Sequence, residues 1–267
     1  MKGLDYSWAR PNPAEIKARG YDFVCRYLSY DAGKNISPQE AQDLLNNNLG
    51  IILVWESTAT RALAGKQAGI EDAWEALNQA NAIGQPNYLP IYMAVDFDAT
   101  ESQQGAIDDY LRGAAQVFGS DWVGVYGGFY IVKRCLDHGT AKWGWQTLAW
   151  SGGQVDPRVH IYQNGGTDFN NGADINEARQ DNFGQWVRNV APPAPAPEPA
   201  PVPEPTPTPE PPAPTSEPTP KPSPEPPVVV PEPSKPPKPV VIQSDPWIIN
   251  LFKIIINWFI SLRGSGK

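Results

Sequence analysis

Residues 90–119 read PIYMAVDFDATESQQGAIDDYLRGAAQVFG, and this stretch decides the fold. A short apolar run over 90–98 reads as a buried strand, and Glu101–Gly119 carries apolar residues at helical spacing. A strand that passes straight into a helix cannot return as a hairpin, so its neighbour in the sheet is parallel. The same unit recurs in both directions. Upstream, LDYSW (4–8) precedes a helix near NPAEIKARG, and FVCRYL (23–28) precedes SPQEAQDLLNNN. That helix opens with Ser37 as cap, Pro38 at its first position and Glu40 at its third. GIILVWES (50–57) leads to a long helix from Ala64 to Ile83. Downstream come VGVYGG, the helical FYIVKRCLDHG, and three closely spaced strands, TLAWSG (147–152), VHIYQNG (159–165) and ADINEA (173–178). Eight strands in about 190 residues predict an α/β fold, a compact (β/α)8 TIM-type barrel with truncated late helices. The alternative is an open doubly wound sheet. No GxGxxG follows the first strand, and neither a Walker motif nor a GxSxG elbow occurs, so nucleotide binding and α/β-hydrolase chemistry both lose support.

Composition divides the 267 residues in three. Of 31 prolines, 25 follow residue 190. Residues 1–190 form the predicted barrel, 191–246 a Pro/Glu/Thr/Val spacer favouring polyproline II, and 247–267 a hydrophobic tail. The barrel region carries a charge of −7, the spacer −4 and the tail +3. An acidic folded region disfavours nucleic acid and suits an uncharged or cationic substrate. Cys25 and Cys135 are too few for a disulfide framework and read as buried thiols. His138 and His160 lack partners at ligand spacing, so neither a metal site nor a Ser-His-Asp triad is expected, and no cofactor is called for. Carboxylates are left to do any chemistry.

They fall at strand ends, where a barrel builds its active site. Asp5 closes the first strand, Glu56 the third, Asp96 and Asp98 the fourth, and Asp174 belongs to the last. Period two puts Asp96 and Asp98 on one side of their strand, so mutual repulsion is expected to raise one pKa and keep that group protonated. Such a pair serves glycosidases. Aromatic side chains at the same level, Tyr6, Trp8, Trp55, Tyr92, Tyr126, Trp150 and Tyr162, offer flat faces for sugar rings. Of these Tyr6, Trp8, Trp55, Tyr126 and Trp150, with Gln163, form the predicted substrate-binding set.

Five short motifs recur in order: Asp5-Tyr6-Ser7, Asp96-Phe97-Asp98, Gly124-Val125-Tyr126, Tyr162-Gln163 and Asp174-Ile175-Asn176. As a set they resemble the glycoside-hydrolase-like domain of actinobacterial cell-wall proteins and actinobacteriophage lysins, related to the Chalaropsis-type lysozymes of glycoside hydrolase family 25. The resemblance implies a sugar-binding barrel that acts on peptidoglycan or another cell-wall glycan. In the lysozymes the catalytic acid is the Glu of Asp-x-Glu; here Asp98 stands in its place, one methylene shorter. The resemblance therefore implies a lysin-type glycosidase with Asp98 or Glu56 as acid, Asp96 as stabiliser, and Asp5 and Asp174 positioning substrate. The rival is a glycan-binding module without hydrolysis.

The tail, WIINLFKIIINWFISLR, places Asn250, Lys253, Asn257 and Ser261 on one helical face. Residues 247–262 would make a helix of about 24 Å, short for a bilayer, so an amphipathic helix on an anionic membrane surface is expected. The N-terminus, MKGLDYSWARP, lacks the apolar run of a Sec signal. The expectation is a protein made in a host cytoplasm that reaches the wall after release.

Overall fold

A computed structural model describes residues 1–188; the predicted spacer and tail lie outside the described residues. Eight strands close a barrel in sequence order: β1 (Lys2–Asp5), β2 (Phe23–Leu28), β3 (Gly50–Trp55), β4 (Ile91–Ala94), β5 (Val123–Gly127), β6 (Trp143–Thr147), β7 (Ile161–Asp168) and β8 (Ala173–Ala178). Five helices connect the first six strands: α1 (Pro13–Ala18), α2 (Pro38–Asn46), α3 (Gly65–Ile83), α4 (Gln104–Phe118) and α5 (Phe129–Asp137).

The barrel prediction holds, with two differences. Strands β1 to β7 pair in parallel, whereas β8 runs antiparallel to both β7 and β1. The turn between β7 and β8 explains the reversal. Phe169, Asn170 and Asn171 all adopt positive φ, which Asn tolerates better than most residues, and no helix fits in so short a connection. The sixth strand also lies earlier than expected, at Trp143–Thr147 rather than 147–152. Trp143, Trp145 and Thr147 alternate inward. Gly144 between them faces α5 so closely that a Cβ would sit 2.9 Å from Val132.

Alternation sorts each strand into two layers. Inside the barrel lie Phe23, Cys25, Ile52, Val54, Tyr92, Trp143, Trp145 and Ile161, closed at the floor by Phe183. The Tyr92 hydroxyl donates to the Phe183 carbonyl at 3.0 Å, and Trp186 pairs with Ile51. Between strands and helices lies a second layer that includes Leu4, Tyr6, Leu28, Leu53, Trp55, Met93 and Val125. Helices α3 and α4 approach through Gly69 and Gly113, where a Cβ would meet a carbonyl oxygen at 1.9 and 2.2 Å. Cys25 and Cys135 are buried free thiols.

The start of α2 departs from the expected capping box in an informative way. The Ser37 hydroxyl accepts from the Glu40 amide at 3.1 Å, as predicted. The Glu40 carboxylate instead meets the fully buried Arg26 guanidinium at 2.6 Å. Arg26 also donates to the Tyr6 carbonyl and lies over the Tyr6 ring, which ties β1, β2 and α2 together.

Candidate active site

The inward positions at the carboxyl ends of the strands converge on one mouth. Asp5 is buried, and its Oδ2 accepts from Gln163 Nε2 and Asn176 Nδ2, each at 2.7 Å. The Tyr27 hydroxyl donates to its other oxygen at 3.3 Å. Behind these partners, Tyr126 donates to Gln163 Oε1 at 3.0 Å and Trp145 Nε1 to Asn176 Oδ1 at 2.8 Å. Both amide orientations are therefore fixed by a donor. Burial lifts the Asp5 pKa to about 7, and the charge of Asp174 adds to it, while the Asn176, Gln163 and Tyr27 hydrogen bonds pull it back. Burial also raises Asp174.

The opposite wall carries charge. Glu56, the residue after β3, pairs with Lys34 Nζ at 2.6 Å, both mostly shielded from solvent. Lys34 comes from the loop between β2 and α2 and lies over the rings of Tyr27 and Trp8, 5.0 and 5.3 Å from their centroids. Asp96, two residues beyond β4, is half-buried. Its pKa rises through burial first and then through the charge of Glu56, and Lys34 opposes the rise. The carboxylate that raises Asp96 is thus Glu56 on the neighbouring strand and not Asp98. Asp98 is exposed and makes no hydrogen bond among the described residues.

Of the predicted sugar-facing side chains, Trp8 is 65% exposed and Trp150 41% exposed, and Tyr126 and Gln163 face the mouth. Trp150 has φ +56°, a left-handed conformation that costs a bulky residue energy. The buried Ser151 next to it holds the turn, accepting from the Phe129 amide at 2.9 Å and donating to the Thr147 carbonyl at 2.5 Å. Tyr6 and Trp55 do not reach the mouth. They sit one position out of phase with Asp5 and Glu56, so period two turns both into the outer layer, where Trp55 meets the Tyr30 ring edge-on at 5.0 Å. Tyr92 is committed to the barrel floor, and Tyr162 lies on the outer side under Arg179.

Four members of the mouth were absent from the predicted set: Tyr27, Lys34, Trp145 and Asn176. Tyr27 is in phase with Cys25 on β2, and Trp145 and Asn176 are in phase with Thr147 and Asp174, so alternation alone could have found them. Lys34 sits in a loop without periodicity and gave no signal.

Comparison with known proteins agrees with this geometry. Residues 14–182 match the family described as the Rv2525c-like, glycoside hydrolase-like domain. The chain is 30% identical over 205 residues to a Mycobacterium tuberculosis protein named "Putative peptidoglycan hydrolase Rv2525c", covering 69% of this chain and 83% of that one. The crystal structure of Tat-secreted Rv2525c in complex with L-tartrate superposes with a TM-score of 0.66 at 28% identity, over 70% of this chain and 98% of that one. An uncharacterized B. stearothermophilus protein, 16% identical, shares the fold with a TM-score of 0.50, over 67% and 95% of the two chains. The Tat-secreted relative overturns the expectation of a signal-less cytoplasmic protein that reaches the wall only after release. Twin-arginine export is a separate route, on which the lack of a Sec pattern has no bearing. With the family model covering most of the barrel and the Rv2525c structure matched over nearly its whole length, the chain belongs to the Rv2525c-like glycoside-hydrolase-like family.

Proposed function

We propose that this barrel hydrolyses the glycan of cell-wall peptidoglycan at its carboxyl-end mouth, with Asp96 as the proton donor. The observation that carries the reading is the half-buried Asp96 carboxyl, held protonated to higher pH by burial and by Glu56, in a mouth edged by Trp8, Tyr126 and Trp150. Glycoside cleavage needs one carboxyl that gives a proton to the leaving oxygen and a second, charged one near the positive charge developing on the sugar. Asp96 and Glu56 supply those two states from adjacent strands. These roles differ from the sequence expectation, which gave the proton to Asp98 or Glu56. Asp5, sealed behind three donors, positions the mouth rather than touching sugar, and Asp174 supports it from β8. The name of the M. tuberculosis relative supports peptidoglycan as the substrate class. The test is release of reducing ends from purified actinobacterial cell walls. Activity in the wild type, lost in Asp96→Asn and kept in Asp98→Asn, supports the assignment; the converse pattern moves the acid to Asp98.

A second reading, a glycan-binding module without hydrolysis, is favoured by the exposed and unpartnered Asp98 where the resembling lysozymes carry Glu. Walls that retain the protein in a pull-down while no reducing ends appear would establish it. In either case we propose the division into a barrel at 1–190, a spacer at 191–246 and a membrane-seeking tail at 247–267, with the lysin type as its finest form. Anionic vesicles that sediment the full chain but not a chain truncated after Ser244 would support the tail assignment. Equal behaviour of the two chains would remove it.

A further inference from the structure

We propose that Lys34 is a positioning residue of the mouth: it reaches in from the β2–α2 loop, fixes the Glu56 carboxylate, and thereby sets the charge that Asp96 meets. The inference rests on the reading of Asp96 and Glu56 as the working pair, and its geometry stands apart from that reading.

The loop itself does not need the Lys34 side chain. Its backbone is held at Lys34 by the Asp31 carbonyl, which accepts from the Lys34 amide at 3.0 Å, and by Arg26, which donates to the Lys34 carbonyl at 3.2 Å. On either side, Arg10 donates to the Gly33 carbonyl at 2.8 Å, Asn35 donates to the Ser29 carbonyl at 2.9 Å, and the Ile36 amide donates to the Tyr27 carbonyl at 3.1 Å. The side chain leaves this scaffold and ends 2.6 Å from Glu56, its ammonium lying over the faces of Tyr27 and Trp8. A largely buried ion pair contributes little net stability, because desolvation offsets most of the attraction. What it does contribute is a partner that fixes the Glu56 carboxylate and a positive charge near enough to act on Asp96.

The charged and titratable groups that face Asp96 are few. Glu56 comes from the end of β3, Lys34 from the β2–α2 loop and Tyr126 from β5. Of these Lys34 is the cation. Removing it leaves Asp96 facing the uncompensated negative charge of Glu56, which favours a protonated Asp96.

The experiment is a carbon-13 NMR titration of the aspartate carboxyls in the full chain, with the Asp96 signal assigned from Asp96→Asn. Lys34→Met is expected to raise the Asp96 midpoint by about one pH unit. Lys34→Arg, which keeps the charge, is expected to return it to the wild-type value, and Lys34→Gln to behave like Lys34→Met. Cooperative thermal unfolding close to wild type shows that the loop has kept its fold, and the Gln and Arg variants carry the comparison if the Met variant does not. An Asp96 midpoint that stays put in folded Lys34→Gln and Lys34→Met overturns the proposal. The titration needs no turnover. Absence of hydrolysis would sink the proposed function and leave the role of Lys34 standing or falling on its own result. In a hydrolysing protein, the alkaline limb of the rate profile moves upward in Lys34→Met and Lys34→Gln and stays in place in Lys34→Arg.

Discussion

The wall built by β1 to β5 and the wall built by β6 to β8 are made differently and do different things. In the first, each strand is followed by a helix, and the strand ends and loops deliver Asp5, Lys34, Glu56 and Asp96. In the second, β7 and β8 form a hairpin with no helix between them, and the residues that reach the mouth are mainly amides, Gln163 and Asn176. A βα loop leaves a strand end free to carry a charged group toward solvent. A hairpin keeps its side chains in the ladder, where a neutral amide can be satisfied by neighbours on both sides. The charged wall is equipped to exchange protons, and the amide wall to hold Asp5 still. If that division is right, substitutions on the two walls must fail in different ways.

The largest effect is expected on the charged wall. Asp96→Asn should lower glycan hydrolysis by at least about 100-fold, the usual contribution of a positioned acid, with the unfolding midpoint unchanged or slightly raised. Release of reducing ends and urea unfolding, measured on one preparation, check both halves. A comparable loss in Gln163→Ala with stability intact would break the division.

On the amide wall the cost falls on stability. Asn176→Ala leaves the Trp145 indole without its acceptor and takes one of the two short donors from Asp5. Unpairing two buried groups should destabilise the barrel by about 3 kcal/mol. The Asp5 midpoint should also climb above its value near 7, because Asn176 is the strongest of the hydrogen bonds that hold it down. Denaturant unfolding gives the first number and carboxyl NMR the second.

Asp5 sharpens the same point through pH. Its folded pKa of about 7 lies above the value of about 3.9 expected for an unfolded aspartate. Between those values the folded chain holds the proton more tightly, so stability falls as pH rises from about 4 through 7. From Asp5 alone the loss between pH 5 and pH 8 is about 2.5 kcal/mol. Asp5→Asn should flatten that slope while keeping one acceptor oxygen. Urea unfolding at the two pH values decides it, and an equally steep slope in the variant would assign the effect to other groups.

How far the sequence showed all this depends on which rule each residue obeys. Strand-end position marks Asp5, Glu56 and Asp96 for the mouth, and period two puts all three, with Gln163, on the inner face. The same rule, carried one residue along, turns Tyr6 and Trp55 outward, against what their aromatic character suggests. The β8 reversal was also present, as the Asn170-Asn171-Gly172 turn between two strands. The sixth strand is hard to place because Trp143-Gly144-Trp145 lacks the β-branched residues that mark most of the others. The Lys34 contact was not legible, since it depends on how a nine-residue connection, 29–37, folds back across two aromatic rings. Nor was the source of the Asp96 shift: Asp98 is near in sequence, but parallel pairing brings Glu56 to the next strand end, and the chain leaving β4 carries Asp98 out to solvent.

The smallest effect is expected where the two walls meet. Tyr126 stands on β5, the last of the strands followed by a helix, and its hydroxyl donates across to Gln163 on β7 at 3.0 Å. Tyr126→Phe keeps the ring against Trp145, whose centroid lies 4.8 Å away, and removes that donor together with the hydroxyl's interaction with Thr147. Gln163 Nε2 remains bound to Asp5, so the amide does not turn over, and neutral hydrogen bonds of about 1 kcal/mol each are lost. Hydrolysis should change by less than a factor of about 5, because neither Asp96 nor Glu56 loses a hydrogen-bond partner. The Asp96 midpoint should move little, since Tyr126 is not among the charges that set it. Steady-state rates on purified walls, with unfolding measured alongside, distinguish the outcomes. A 100-fold fall in rate at unchanged stability would mean that the Tyr126 hydroxyl touches the sugar itself, and that the two walls act on the substrate as one unit.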